Sequence, residues 1–464
     1  MAKKFIAVLL TATMALCMFA GCASNKTEET TSVVPLATDA AEANPAEEGN
    51  SLTADLTLWS YPRFDDQETF FDETVMAEFN KLYPNITITT TTIPWDGGPE
   101  KVNMAIGSKT TPDILLDADM RQSSYADKGV LVPLTDVIAA NCDGLSKSWV
   151  NAVHMNDEDY LAPLYTSGGT AMLINMALVE QYGLTDMLPE DHKSWSWDEF
   201  HAFCKAATEA AKADGIYGIA MFAGSQSSDS NTMGWLMGSG ATVLNDELNA
   251  VTLNTEDAGK VLDNMAKLVA DGVAMPGATT LIDDECIELF LSGKVFVCQY
   301  GDLWTVNQAY DRLANGEIEG PMDAQYFLFP TLDGKPQTYL SYGATGFTVF
   351  NNNDENKVAA AKAFIDFFMG SEFEGAYIEQ AGQLACREGI TLYADKEEVS
   401  REASRMSSFG DHYMLNWGSQ LGFWAEVRST FYPEIQAVYS GAKTGVEALN
   451  DFAANANTVI ANNS

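Results

Sequence analysis

The groups able to do chemistry in this chain are aromatic rings and single charged side chains gathered in short loops. Tyr61 and Arg63 share one loop, Trp95 and Asp96 a second, and Asp117, Asp119 and Arg121 a third, while Asp302 and Trp304 follow a later apolar run. Ring faces pack on flat C–H surface, and Asp and Arg supply acceptors and forked donors, so the set suits holding a ligand by contact and hydrogen bonds. Asp119 serves equally well as the cap of a following helix. No G-x-S-x-G, H-E-x-x-H, Walker A or dinucleotide-binding glycine pattern occurs. With 65 acidic residues, chance pairs of carboxylates are unavoidable and no spacing singles one out for hydrolysis. Four histidines and the absence of any C-x-x-C leave no metal cluster, and neither a catalytic residue nor a cofactor is expected.

The elements that place these loops alternate. Leu52 to Trp59 reads as a first strand, and Phe71, Val75, Phe79 and Leu82 recur at helical spacing before Pro84. Ile86 to Ile93 returns to a strand, and after a short helix around Val102 and Ile106, Asp113 to Leu116 is a buried strand. Strand–helix alternation predicts an α/β protein with parallel sheets, whose ligands sit beyond the carboxyl ends of strands, where the three loops fall. Further strands are expected at Tyr160 to Tyr165, Lys294 to Tyr300, Gln325 to Phe329 and Gly346 to Phe350. Ser196 and Glu199 form a capping box for a helix whose inner face includes Trp197, and helices are also expected at Thr255 to Gly272, Ile282 to Leu291 and Val358 to Phe368. Phe423 to Val438 keeps helical spacing with a kink at Pro433, and a last helix begins near Val446.

The 464 residues are 46% apolar and 11% aromatic, enough to bury a large core split into two lobes. A formal net charge of −39 repels phosphate backbones and anionic lipid, so nucleic acid is excluded as a partner and membrane attachment cannot rest on surface electrostatics. Of seven cysteines, Cys17 and Cys22 lie near the start. Cys142, Cys204, Cys286, Cys298 and Cys386 remain, an odd number that predicts buried thiols or at most two disulfides.

Lys3 and Lys4 open a short apolar run that closes L-C-M-F-A-G-C at Cys22. This resembles a bacterial lipoprotein signal peptide, residues 1–21, although Phe19 stands where leucine is usual. The resemblance implies cleavage before Cys22, a diacylglycerol on its sulfur, and a mature protein outside the cytoplasmic membrane. Residues 22–51, rich in Thr, Ala, Glu, Pro and Asn, read as a disordered tether. Its r.m.s. reach is about 30 Å.

Several stretches, in order, then resemble the extracellular solute-binding proteins of bacterial ATP-binding-cassette importers, the group that includes maltose-binding protein. They are A-I-G-S-K-T-T-P-D-I-L-L-D-A-D from Ala105 to Asp119, Asn175 to Gly183, Trp195 to Phe200, Phe290 to Trp304, Gly346 to Phe368 and Gly441 to Asn450. The resemblance implies a two-lobed periplasmic-binding-protein-like fold, each lobe a mainly parallel sheet flanked by helices. Hinge crossings are implied near Leu164 to Ser167, Tyr300 and Gly301, and Tyr342 to Thr345. The lobes would then be 52–164 plus 302–342 and 165–301 plus 343–464.

Carried over residue by residue, Arg121 takes the family's post-strand arginine position and Trp304 the aromatic place after the second crossing. Trp424, in F-W-A-E-V-R, takes a ring-stacking place, and Trp235 lies on a helix start where aromatics are presented. Asp117 stands where relatives often carry an aromatic. Tyr342, at the third crossing, is counted with the ligand-facing residues, whereas Trp197 is expected in the core. The function implied is a monomeric receptor that binds a carbohydrate, an oligosaccharide by preference, and delivers it to a membrane permease. A polyamine, peptide or other small solute on the same fold, and a surface glycoside hydrolase, are the competing readings.

Overall fold

The computed structural model describes residues 51–463 apart from 96, 147–148, 151–153, 156, 167–170, 338–342, 410–417 and 419–420. Cys22, the signal region, the tether up to residue 50 and Tyr342 therefore lie outside the described residues. Twelve strands follow in order: β1 (Ala54–Ser60), β2 (Ile86–Thr92), β3 (Ile114–Ala118), β4 (His154–Met155), β5 (Glu158–Asp159), β6 (Ala162–Thr166), β7 (Ala171–Asn175), β8 (Tyr217–Ala220), β9 (Val295–Gly301), β10 (Ala324–Phe327), β11 (Ala344–Val349) and β12 (Leu384–Ala385). They form a six-stranded sheet in the order β12-β6-β11-β3-β1-β2, a four-stranded sheet β10-β7-β9-β8, and the hairpin β4-β5.

Both large sheets are mixed rather than mainly parallel. β1 pairs in parallel with β2 and β3, as the alternation requires, but β11 runs antiparallel between β3 and β6. In the second sheet only β8 and β9 are parallel. Strand membership also revises the expected lobes. β10 lies in the second sheet, and β11 in the first. The helix Glu355–Phe368 packs on β1 and β11. Residues 302–337 thus go with the second sheet, and the stretch from Ala344 through β12 with the first.

The chain passes between sheets after β6, before β11, and after β12, where the helix Glu397–Ser408 packs on β10. No crossing occurs at Tyr300 and Gly301. There the helix Leu303–Ala314 folds back on β9 instead. Gly301 is required for another reason, since a Cβ on it would stand 2.2 Å from Leu173 Cγ on the paired strand β7. Gly346 is tighter still: a Cβ would lie 1.9 Å from the carbonyl oxygen of Ala162, where the β11–β6 register shifts.

Alternation along the strands divides three cores. One face of the first sheet (Leu56, Leu58, Ile114, Leu116, Phe347) is continuous with one face of the second (Leu173, Cys298, Tyr326). The other face of the second sheet carries a separate core of Ile174, Phe296, Phe327, Trp197, Phe200, Trp235 and the C-terminal helices. A smaller cluster around Tyr61, Leu115 and Tyr125 covers the back of the first sheet.

The capping box at Ser196 and Glu199 is present, and Trp197 is buried behind it. The helical stretch 67–82 departs from simple periodicity. Phe70–Val75 is wound as a π-helix, whose wider turn buries the adjacent Phe70 and Phe71, and then Val75 and Met76. The inward face ends at Phe79, leaving Leu82 56% exposed against expectation. Pro433 opens a new helix, Tyr432–Tyr439, rather than kinking a longer one, because proline is tolerated in a first turn. The five described cysteines are all free, Cys142 exposed and the others buried.

His192 joins the loop before the helix Trp197–Ala210 to β10. Its Nδ1–H donates to Tyr326 O at 3.0 Å and its ring stacks on Phe327 at 3.9 Å. Burial, aided by the Arg405 charge, pushes its pKa from 6.5 down to about 4. The unfolded chain binds a proton that the folded chain refuses between these values, so this contribution is complete above pH 6.5 and is lost as pH falls towards 4. Allowing for partial exposure, about 1–2 kcal/mol should disappear across that window. Urea melts of His192→Phe should show a flatter slope between pH 6.5 and 4; an unchanged slope would assign the acid lability to other groups.

Candidate functional site

Because β1, β2 and β3 run in parallel, their carboxyl ends bring three loops to one edge of the first sheet. A cavity of about 10 Å³ opens there, lined by Tyr61, Arg63, Trp95, Asp117, Tyr165 and Thr345, together with Leu116 and Ala118. It has room for one water.

Tyr61 and Trp95 stack at 4.3 Å with rings 15° from parallel. Tyr61 is buried and held from behind by Gly98, where a Cβ would come within 2.7 Å of its ring. Trp95 is 44% exposed and ties its indole N–H to Pro62 O at 3.3 Å, leaving much of the ring open to solvent. Gln67 fastens the loop start by donating to Ser60 Oγ (2.7 Å) and Tyr61 O (3.1 Å).

Asp117, next to last in β3, has its carboxylate fully enclosed. It accepts from Ala118 N at 2.7 Å and from Arg121 through Nε (2.8 and 3.0 Å) and Nη2. One helical turn separates the two residues, so the pair is pre-formed by the strand-to-helix junction. The Arg121 guanidinium also lies 5.0 Å from the centre of the Tyr61 ring. Burial, followed by the field of Asp117, pushes the Tyr61 hydroxyl pKa well up, so it stays a phenol and a donor at neutral pH.

Arg63 reaches into the same space over the faces of Trp95 (4.7 Å) and Tyr165 (5.4 Å). The field of Asp302, just past the end of β9 in the second sheet, also reaches it.

The other expected residues fall elsewhere. Trp235 and Trp424 are both 0% exposed in the second core, Trp235 stacked on Phe329 at 4.3 Å and Trp424 pressed against Gly418, so neither offers a face to solvent. Asp302 caps the helix Leu303–Ala314, accepting from Thr305 N (2.9 Å) and Oγ1 (2.7 Å). Trp304 packs half-buried against the first core and beside Gly382. The side chain of Asp119 lies outside what is described; its backbone starts the helix Asp119–Asp127. The second lobe also touches that helix, since Ser123 Oγ donates to Leu421 O at 3.5 Å and Gly422 abuts Asp127.

Tyr165 and Thr345, within the implied hinge crossings, also line the cavity. Their place at the ends of β6 and β11, beside β3, was the available signal.

Two mixed sheets linked by three passages of chain, with an aromatic and charged cavity at strand ends, define a two-lobed α/β binding protein. Residues 62–373 match the bacterial extracellular solute-binding protein family, and the chain belongs to it. A binding protein of Brucella abortus (strain 2308) is 22% identical over 406 residues, 84% of this chain and 90% of the relative. Among solved structures, an ABC transporter solute-binding protein from Thermotoga lettingae TMO bound with α-D-tagatose is 19% identical and superposes with a TM-score of 0.71, covering 88% of this chain and all of the other. The GacH receptor of Streptomyces glaucescens, solved unliganded and with acarbose, is 15% identical at a TM-score of 0.71 over 89% of this chain and all of its own.

Proposed function

We propose that this protein is the capture receptor of an ATP-binding-cassette importer, holding a carbohydrate between its lobes and presenting it to a membrane permease without transforming it. The observation that carries the reading is the partly exposed Trp95 ring, stacked on Tyr61 and flanked by Arg63 and the Asp117–Arg121 pair. Sugar rings need such a surface for their C–H faces and such donors and acceptors for their hydroxyls. The solved relatives described with α-D-tagatose and with acarbose support the ligand class.

A cavity of about 10 Å³ admits no sugar, and in this reading the lobes part for entry and close on the bound ligand. Ligand contacts to both lobes would favour the closed state by their difference in affinity, and the permease would read that state. Hydrolysis is disfavoured because Asp117 is the one carboxylate lining the cavity among the described residues and is already committed to Arg121, whereas glycosidases need two carboxyl groups across the bond. A polyamine is disfavoured by Arg63, a fixed cation at the same place. The receptor would act as a monomer, tethered by lipid on Cys22; recovery of the native protein from the aqueous phase with an unmodified N-terminus by mass spectrometry would remove the anchor from this scheme.

Thermal-shift and calorimetric screens against mono- and oligosaccharides test the reading, since a ligand of the folded state raises apparent stability by mass action. Trp95→Ala should weaken binding by roughly 1–3 kcal/mol, 5- to 150-fold, while the melting temperature without ligand barely moves. Unchanged affinity in that variant would move the site away from this cavity.

A further inference from the structure

Two guanidinium groups stand at the cavity, Arg121 and Arg63, and of the two only Arg121 makes an ion pair among the described residues. Arg121 is neutralised by the enclosed carboxylate of Asp117, held through two guanidinium nitrogens. No carboxylate among the described residues forms an ion pair with Arg63. Asp302 acts on it through its field, but one of its oxygens is taken by Thr305 N and Oγ1. What surrounds the Arg63 guanidinium is aromatic: Trp95 at 4.7 Å and Tyr165 at 5.4 Å, with Thr345 completing the lining. The guanidinium is thus held over two ring faces, and arginine so placed can grip a carboxylate or a sulfate with two parallel hydrogen bonds from its planar fork of donors. A half-buried charge of this kind, fixed by rings rather than by a counter-ion, is costly until a ligand supplies one. The chain as a whole carries a net charge of −39, so an anion is not drawn in by the general field and its recognition has to be local.

Resting on the carbohydrate reading above, we propose that the ligand is an acidic saccharide, whose carboxylate or sulfate group pairs with Arg63 while the sugar packs against the exposed part of Trp95. Calorimetry of the mature protein with digalacturonate, its dimethyl ester, a sulfated disaccharide and a neutral disaccharide tests this. The acid, the sulfated sugar or both should bind at least tenfold more tightly than ester and neutral sugar, and the better of the two acidic probes identifies the anion. In Arg63→Gln the ratio of acid to ester affinity should fall to within twofold. Because that ratio is measured first in the wild-type protein, the test stands even if the variant folds poorly. Equal affinity of the wild-type protein for acid and ester, or preference for the neutral sugar, overturns the acidic ligand and leaves the carbohydrate reading intact. Failure of all four probes, and of the wider saccharide screen, overturns the carbohydrate reading and this inference with it.

Discussion

Asp117→Ala should cost about 3–5 kcal/mol of folding stability and remove ligand binding, because it leaves the Arg121 guanidinium partly buried without its partner. The carboxylate is also the acceptor for Ala118 N, so the end of β3 loses its local fastening. Once freed, Arg121 has no reason to remain beside Tyr61, and the floor of the cavity loses its order. Asp117→Ala with Arg121→Met should be markedly more stable than Asp117→Ala alone, since both charges then go and an apolar chain of similar length fills the space. Urea unfolding of the four proteins in that cycle measures the coupling. A loss under 1 kcal/mol in Asp117→Ala would mean that water already screens the pair and that it does not organise the site.

Trp235→Ala should behave in the opposite way, destabilising the fold by about 3–5 kcal/mol while the folded fraction keeps its affinity. The ring is wholly enclosed, stacked on Phe329 at 4.3 Å and tilted against Trp197 at 5.4 Å and Phe200 at 5.8 Å. Truncation therefore opens a hole among three aromatic residues, Phe329, Trp197 and Phe200. Set beside Trp95→Ala, which should lose affinity and keep stability, the pair separates a ligand-facing tryptophan from a structural one. If Trp235→Ala melted normally and bound poorly, the second core would have to open on ligand entry.

The difference between those two tryptophans marks the limit of what was legible in the chain. Tyr61, Arg63, Trp95, Asp117 and Arg121 could be grouped from the sequence because strand–helix alternation is a local signal, and parallel neighbours β1, β2 and β3 must deliver their following loops to one edge. Trp235 and Trp424 were drawn from resemblance by position, which says where a helix lies but not which way its ring turns. The helix Ser228–Met237 is buried nearly all round, so no periodicity distinguished an inward from an outward face. Sheet membership was hidden for a related reason. β10 and β11 are both short and largely buried, and which sheet accepts each depends on pairing with strands more than a hundred residues away. The π-wound turn at Phe70–Val75 likewise breaks a period that a sequence pattern can only extrapolate.

The place of β11 between β6 and β3 bears on how the polypeptide comes to be folded at all. Every partner on one side of β3, and on one side of β6, arrives only when residues 344–349 are available. A chain emerging from its N-terminus therefore carries two apolar strands with open edges through nearly two hundred further residues, and such edges invite pairing with other molecules. The first sheet cannot be completed piecemeal during synthesis. Its closure is a late, long-range step, slow by the entropy of the loop it must close. For a protein bound for the far side of a membrane that delay is useful, since a chain that cannot finish its first sheet early stays threadable until residues 344–349 have crossed.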